Sequence, residues 1–333
     1  MASSEKRVLV TGANGFIGSW LVRALLAKGY SISASVYPGS STAHLRALPG
    51  GADPKRLVFH EADLLDAAAL AVAAEGCGAG VFHVASPCSL EDPKDPENEL
   101  IRPAVEGTVN VLEAARKVGA RRVVLMSSIS AMIPNPGWAK AHPGRAFDED
   151  SWTDLDYCKA NKKWYAVSKT IAEKEAWKYA EKYGLDIVAI NPSTCLGPLL
   201  QPSLNASSAV LQQLLQGSTN DQGDYWLGCV HVRDVADAQI MLLEKPNASG
   251  RHLCTNGIYQ FKDFAEIVAK VCPGYNVTRF VSETQPGLVS RKDAAKKLID
   301  LGMAFTPVED AIKESEESMR ENGLLSKPSN NTN

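Results

Sequence analysis

The sequence has little that would carry it to a membrane or to a nucleic acid. Its amino terminus is polar, and the apolar run that follows is too short for a secretory signal or a membrane span. Charge of one sign is not in excess either, because 35 Lys and Arg residues face 38 Asp and Glu residues, for a net charge of −3 among 333 residues. We therefore expect a cytoplasmic protein that binds neither membranes nor nucleic acid.

The cysteines lack the spacing of a metal site or a disulfide framework. There are seven, an odd number, with no Cys-x-x-Cys pair and no neighbouring cluster of His. We predict free thiols, mostly buried, in a reducing compartment, and no bound metal. The positions are Cys77, Cys88, Cys158, Cys195, Cys229, Cys254 and Cys272.

Short apolar runs alternate with helical patterns through the first 190 residues. Strands of this kind, rich in β-branched residues and separated by amphipathic helices, are typical of repeated βαβ units. The sequence therefore predicts an α/β fold with a doubly wound parallel sheet. The predicted strands are Val8–Val10, Ile32–Val36, Leu57–Phe59, Val81–Val84, Val123–Met126 and Ile187–Ile190.

Beyond residue 190 the pattern loosens into connections that contain Pro and Gly. We predict a first domain over 1–190, to whose sheet a strand and helix at about 229–245 return. A smaller substrate lobe is then interleaved with it, made of 191–228 and 246–325. The polar tail, 326–333, is expected to be disordered.

A glycine-rich turn follows the first predicted strand and opens the first helix. Gly12, Gly15 and Gly18 would give a tight turn, let the backbone approach a pyrophosphate, and allow the helix to pack on the strand. Phe16 and Ile17 begin the helix between the last two glycines. This context predicts a Rossmann-type dinucleotide site at the turn.

The second predicted strand lacks the acidic residue that is typical of sites that prefer NAD. Sites that prefer NAD usually carry an acidic residue about 20 residues after the glycines, which binds the ribose hydroxyls. Here no carboxylate occurs between Glu5 and Asp53, so nothing would repel a 2′-phosphate. We therefore favour NADP(H) over NAD(H). Hydroxyl groups that could donate to that phosphate are those of Ser35, Ser40, Ser41 and Thr42.

Two further strand ends are expected to line the cofactor. Asp63 and Leu64 close the third strand, where a carboxylate could accept a hydrogen bond from an adenine amino group. Val84, Ala85 and Ser86 close the fourth strand with small residues beside which a cofactor could lie. Ligands of open α/β sheets bind at these carboxyl ends.

A reactive pair is predicted on one helix. Tyr165 and Lys169 are four residues apart and so share a helix face. A nearby ammonium favours phenolate, which would lower the tyrosine pKa and let the phenol exchange a proton with a substrate oxygen. Ser128, at the end of the fifth predicted strand, is placed to hydrogen-bond a substrate carbonyl.

These motifs together resemble the extended short-chain dehydrogenase/reductases, and within them the plant cinnamoyl-CoA reductases with their aldehyde- and dihydroflavonol-reducing relatives. The resemblance runs to about residue 325, in the stretches 11–22, 82–87, 95–99, 197–202 and 231–236.

The resemblance implies an NADPH-dependent reductase of phenylpropanoid carbonyls, with a place in lignin biosynthesis. By it, Ser128 polarises the carbonyl, Tyr165 delivers the proton, and Lys169 lowers the tyrosine pKa and holds the nicotinamide ribose. Pro192 and Ser193 would border the nicotinamide.

The sequence departs from the family pattern at several positions. Tyr37 stands where the family has the Arg that holds the 2′-phosphate. Val210 stands where cinnamoyl-CoA reductases have a His on the coenzyme A side, and Ile133 stands where dihydroflavonol reductases have an amide. Leu196, Tyr225 and Trp226 are apolar, as is Ile133, and these four are our candidates for contact with an aromatic substrate.

The substrate therefore stays open between a hydroxycinnamoyl-CoA thioester and a hydroxycinnamaldehyde. An enzyme that reduces only the aldehyde, or a dihydroflavonol-type reductase, is the first alternative. A sugar-nucleotide epimerase is another, although the stretch 191–228 has no Lys or Arg to bind a diphosphate. A non-catalytic NADP-binding sensor is the last. Either a monomer or a homodimer is compatible with the sequence.

Overall fold

The computed structural model describes residues 6–88, 93–217, 226–278 and 293–326. In these ranges the chain forms two sheets surrounded by helices. The strands are β1 Arg7–Thr11, β2 Ser31–Val36, β3 Leu57–Glu61, β4 Gly80–His83, β5 Val123–Met126, β6 Ile187–Pro192, β7 Thr194–Leu196, β8 Trp226–His231, β9 Gly250–Cys254 and β10 Gly257–Gln260.

Most helices lie between successive strands of the main sheet. A π-helical turn, Glu97–Ile101, leads into the fourth helix, and a 3-10 turn, Ile129–Ala131, follows β5. The helices are α1 Phe16–Ala27, α2 Ala43–Arg46, α3 Ala67–Ala74, α4 Arg102–Lys117, α5 Trp138–Ala141, α6 Leu155–Ala160, α7 Trp164–Tyr183, α8 Ala206–Leu215, α9 Val232–Glu244, α10 Phe261–Val271, α11 Lys296–Asp300 and α12 Val308–Glu321.

The main sheet has seven strands in the order β3-β2-β1-β4-β5-β6-β9, and every pair in it is parallel. The predicted α/β fold with a doubly wound sheet is thus confirmed. All six strands predicted in the first 190 residues are present, with ends that differ by at most two residues. The order reverses between β1 and β4, which creates the crevice where ligands of such sheets bind.

Helices cover both faces of this sheet because successive side chains of a strand point to opposite sides. In β1, Val8 and Val10 pack in a cluster with α1 and α9, whereas Leu9 packs on the other face with α3 and α4. All three side chains are fully buried. This two-sided burial explains why the strands are nearly continuous apolar runs.

The strand at 226–231 corrects one expectation. It was expected to return to the first sheet, but β8 pairs with β7 and β10 in a separate three-stranded sheet. The strand that completes the main sheet is β9, whose Leu253 lies opposite Asn191 of β6. The predicted helix after β8 does exist as α9, and it packs against α1 on the main sheet.

The carboxyl-terminal part shares its core with the first domain. Leu211 of α8, Phe264 of α10 and Ile312 of α12 belong to the same buried cluster as Val8 and Val10 of β1. The predicted domain boundary at residue 190 therefore does not separate two hydrophobic cores, and it remains a prediction. The tail beyond Ser326 lies outside the described residues.

No helix within the described ranges is long and apolar enough to cross a membrane. All seven cysteines are free thiols there, and only Cys88 is exposed. No group of three or more His, Cys, Asp or Glu residues in the described ranges could hold a metal ion.

Candidate active site

A long cavity of about 1310 Å³ runs along the carboxyl ends of the main-sheet strands. Its lining contains all three predicted catalytic residues and most residues predicted to contact the cofactor, although Ser40, Ser41 and Thr42 are not part of it. The structure thus brings together Ser128 and the set Gly12, Gly15, Phe16, Ile17, Gly18, Tyr37, Asp63, Leu64, Val84, Ala85, Ser86, Tyr165, Lys169, Pro192 and Ser193.

Two of the glycines are required by close backbone contacts. Gly12 has a φ of +63°, and a Cβ there would lie 2.9 Å from Cα of Ala85. A Cβ on Gly18 would lie 2.1 Å from the carbonyl oxygen of Gly12. Because both obstacles are backbone or adjoin it, no side-chain movement would relieve them, and only glycine keeps this turn.

The amino terminus of α1 opens into the cavity. Its N-cap is Gly15, which has no side chain to accept from the first-turn amides, and Phe16, Ile17 and Gly18 line the cavity. Unsatisfied amide groups and the positive end of the helix dipole attract anions. The cradle therefore fits the pyrophosphate of a dinucleotide.

A chain of hydrogen bonds behind the glycine turn holds the end of β4. The hydroxyl oxygen of Thr11 accepts from the amides of Val84 and Ala85, each at 3.1 Å, so its own proton must go to Nδ1 of His83, 2.9 Å away. His83 is then a neutral ring protonated at Nε2, which donates to Thr108 at 3.1 Å. Burial supports this state, because it lowers the pKa of His83 to about 3.

At the far end of the cavity, the loop after β2 is tied to the glycine turn. The amide of Asn14 donates to Ser40 Oγ at 2.9 Å and to the carbonyl of Ser41 at 3.1 Å. Tyr37, a residue that is 66% exposed, lines this end. Among the described residues that line the cavity, Lys169 is the only Lys or Arg, so the adenosine end has no cation in its wall.

The reactive residues meet where β5 ends. Ser128 is buried, and its hydroxyl accepts from the amide of Ser130 at 3.1 Å, which caps the 3-10 turn. Tyr165 and Lys169 come from the first turns of α7. The Lys169 ammonium is buried and donates to the carbonyl of Met126 at 2.9 Å.

The electrostatics correct one sequence expectation. Burial raises the pKa of Tyr165 well above its usual range, the nearby Cys88 adds to the rise, and a hydrogen bond with Ser128 opposes it. The spacing predicts that Lys169 lowers this pKa, but the loss of hydration on burial outweighs any such effect. Burial lowers the pKa of Lys169 to about 8, and the negative charge of Glu173 opposes this shift. The phenol is therefore protonated at neutral pH.

Pro192, the last residue of β6, and Ser193 after it also line the cavity. Ser193 is buried and donates a hydrogen bond of 3.0 Å to the hydroxyl oxygen of Thr255. A Cβ on Gly228 would lie 2.6 Å from Cβ of Ser193, so β8 presses closely on this segment. The segment is thus held from two sides.

Three of the predicted substrate contacts, Ile133, Leu196 and Trp226, are not in the described lining of the cavity, so their contact with substrate stays a prediction that this lining does not support. Leu196 is fully buried in the main core and is not part of the cavity lining, although its neighbours Thr194 and Cys195 are. Ile133 and Trp226 pack beside a separate buried cluster around Met132 and Phe147. Tyr225 lies outside the described residues.

Other residues form the wall at the reactive end. The π-helical turn contributes Asn98 and Glu99, Asn205 caps α8 and Val210 lies within it, and Cys88 also lines the cavity. The family resemblance pointed to both the 95–99 stretch and the 205–210 stretch. No periodicity or spacing within the sequence indicates that these two stretches line one cavity.

Comparison with known proteins shows similarity to a protein family and to plant reductases. A family model described as "NAD dependent epimerase/dehydratase family" matches residues 8–255. Cinnamoyl-CoA reductase 1 from Petunia hybrida is 42% identical over 328 residues, which cover 98% of this chain and 95% of the petunia protein.

Two solved structures have closely similar folds. Vestitone reductase from alfalfa superposes with a TM-score of 0.80 at 31% identity, covering 96% of this chain and 99% of the alfalfa protein. The yeast methylglyoxal/isovaleraldehyde reductase Gre2, complexed with NADPH, gives a TM-score of 0.79 at 26% identity and covers 96% of this chain and 100% of the yeast protein.

Proposed function

Because the chain belongs to the NAD dependent epimerase/dehydratase family, we propose that it reduces the carbonyl of a hydroxycinnamoyl compound with NADPH. The enzyme is an NADP(H)-dependent oxidoreductase, as its reductase relatives and the NADPH-bound yeast structure indicate. The substrate class follows the petunia reductase, which is similar over almost the whole chain. A cytoplasmic role in lignin biosynthesis is part of the same proposal.

One observation supports the reaction most directly. Two hydroxyl groups, those of Ser128 and Tyr165, and the ammonium of Lys169 converge on one end of a cavity whose other end is a phosphate cradle. A dinucleotide that spans the cavity would have its nicotinamide at the reactive end, beside Pro192 and Ser193. A substrate carbonyl could then receive both a hydride and a proton there.

The bound cofactor supplies the hydride, and the protein supplies the charge control. As negative charge develops on the carbonyl oxygen, Ser128 and Tyr165 donate hydrogen bonds to it, and each such donor is typically worth about 3–4 kcal/mol. The raised pKa of Tyr165 keeps the phenol protonated, so it can give its proton to the new alkoxide. Lys169 lies one helical turn away, where its positive charge stabilises the phenolate that remains.

The proposal leaves two carbonyl types to be separated by experiment. An aldehyde takes one hydride and the Tyr165 proton to become an alcohol. A thioester also expels a thiolate, which needs a second proton, and coenzyme A brings phosphates that favour cationic contacts. The described cavity lining has Glu99 and Val210 at its reactive end and no Lys or Arg there except Lys169. This lining favours the aldehyde.

The sugar-nucleotide epimerase alternative has less support. Such a substrate carries a diphosphate, which calls for cationic side chains beyond the nicotinamide. The stretch 191–228 contains no Lys or Arg, and this includes the residues outside the described ranges. The sequence therefore offers no cationic clamp for a diphosphate in this stretch.

The test follows consumption of NADPH by the purified protein with feruloyl-CoA, coniferaldehyde and dihydroquercetin in separate assays. We expect turnover of coniferaldehyde. Turnover of feruloyl-CoA as well would make the chain a thioester reductase despite Val210. If NADPH binds tightly and none of the three is reduced, the proposed substrate class is wrong.

A further inference from the structure

A buried ion pair, Glu173 with Arg251, lies directly behind the reactive residues and is unused by the mechanism above. Glu173 is on α7, one turn after Lys169, and Arg251 is on β9. The Arg251 Nε donates to Glu173 Oε1 at 2.6 Å, and Nη2 lies 3.3 Å from Oε2. Glu173 is 1% exposed and Arg251 is 7% exposed, so solvent contributes little to either charge.

The carboxylate of Glu173 also collects donors from two strand ends. Ser127 donates its hydroxyl to Oε2, and Asn191 donates its amide to the same oxygen at 2.9 Å. The second proton of that amide goes to the carbonyl oxygen of Ser128, at 3.1 Å. Glu173 therefore reaches the residue before Ser128 directly, and the backbone of Ser128 through Asn191.

The other member of the pair holds the chain after Ser128. Arg251 Nη2 donates to the carbonyl of Ala131 at 3.2 Å, at the end of the 3-10 turn that Ser128 caps. Its Nη1 donates to the carbonyls of Glu149 and Ser151. The guanidinium also lies 3.9 Å from the centroid of the Trp152 ring, which fixes its plane.

Burial of an ion pair generally adds little net stability, because each charge loses its hydration. A requirement for position explains the pair better, since its bonds converge on the segment 127–131. We propose that Glu173 and Arg251 are positioning residues that hold the Ser128 hydroxyl in line with Tyr165. The inference rests on the proposed function of Ser128 as a hydrogen-bond donor to the substrate.

The first test does not depend on the substrate. Hydrogen exchange of the whole protein with NADPH bound is measured for Glu173→Gln and for Glu175→Gln, which changes a carboxylate on the same helix that pairs with Lys178 near the surface. We expect faster exchange in the peptide that spans 127–131 for Glu173→Gln only, with the glycine-turn peptide unchanged. A folded Glu173→Gln protein with wild-type exchange at 127–131 would overturn the inference.

The second test separates position from binding. We expect Glu173→Gln to lower kcat about tenfold or more, which is less than the roughly 10²–10³-fold that removal of a whole donor costs, while KM for NADPH stays as in the wild type. Equal kcat in an active wild type and a folded Glu173→Gln variant would also overturn the inference. Should the wild type reduce none of the substrates, the proposed function fails, and the exchange experiment still decides the positioning role.

A more conservative variant covers the case in which Glu173→Gln does not fold. Arg251→Lys keeps a positive charge beside Glu173 but lacks the second arm that reaches Ala131. We expect it to fold and to show faster exchange at 127–131. Wild-type exchange in that peptide would count against the inference in the same way.

Discussion

The ammonium of Lys169 donates a hydrogen bond of 2.9 Å to the backbone carbonyl of Met126, so helix α7 is joined to the carboxyl end of β5. This bond holds a buried positive charge beside the reactive phenol. Its acceptor, Met126, ends β5 two residues before Ser128. The first prediction follows from the ionisation of that charge.

Activity should fall on the alkaline side of pH 8. Burial lowers the pKa of Lys169 to about 8, so the ammonium is present below that pH and is lost as the pH rises through it. The pH profile of kcat/KM for NADPH reports the free enzyme, and we expect its alkaline limb near that value.

Lys169→Arg should remove this limb, because a guanidinium stays charged, and it should lower kcat since the geometry differs. Lys178→Arg, an exposed change on the same helix, serves as the control. An alkaline limb near pH 8 that persists in Lys169→Arg would assign the ionisation to another group.

Removing the reactive hydroxyl should separate binding from chemistry. In Tyr165→Phe, we expect kcat to fall about 10²–10³-fold or more, because a donor to the developing oxyanion and the proton source are both lost. Binding of NADPH, measured by calorimetry, should not change. Tyr183→Phe alters an exposed ring on the same helix and should leave kcat unchanged. Near-normal turnover in Tyr165→Phe would exclude Tyr165 as the proton donor.

The glycine turn should tolerate no side chain at Gly18. A Cβ there would lie 2.1 Å from the carbonyl oxygen of Gly12, so the turn must shift. We expect Gly18→Ala to lower the free energy of unfolding by about 1–3 kcal/mol, the usual cost of overpacking. We also expect it to weaken NADPH binding.

The matched control is Gly78→Ala, where nothing lies within 4 Å of the added atom. Denaturant unfolding and NADPH calorimetry compare the two variants. Equal stability and equal NADPH affinity of Gly18→Ala and the wild type would mean that the turn is looser than its contacts indicate.

An arginine at the adenosine end should sharpen the choice of cofactor. Tyr37 lines that end with an exposed ring, and the described cavity wall offers the 2′-phosphate no cation there. A guanidinium can bind phosphate through two hydrogen bonds. We expect Tyr37→Arg to bind NADPH about tenfold more tightly, equivalent to about 1.4 kcal/mol, and NADH as before.

Tyr37→Gln is the control for loss of the ring without added charge. Calorimetry with NADPH and NADH on the wild type and both variants gives the comparison. If Tyr37→Arg strengthens NADH binding by the same factor, the new side chain contacts something other than the 2′-phosphate.

Local patterns predicted the parts of the molecule that are built from neighbouring residues. The strands β1 to β6 could be read from short β-branched runs, because burial on both faces demands continuous apolar residues. The glycine turn and the Tyr165 to Lys169 spacing were visible for the same reason, since each lies within a single turn or helix. Whether the site residues act as predicted still depends on the experiments above.

Other features were decided by residues far apart in the chain. The sequence of β8 gave no sign that it would pair with β7 and β10. Strand pairing depends on which strand edges are available in the folded chain, and β9 occupies the edge of the main sheet beside β6. Leu196 and Trp226 are apolar in the way that substrate contacts are, but packing put Leu196 in the core and Trp226 beside another cluster.

The charge relationships show the same division. The sequence by itself determined that a phenol and an ammonium share a helix face, but only the tertiary structure decided how much water each would keep. Burial set the pKa directions of Tyr165 and Lys169, and it joined Glu173 to Arg251, 78 residues further along the chain. Hydration and long-range pairing are properties of the packed molecule, so no local pattern could carry them.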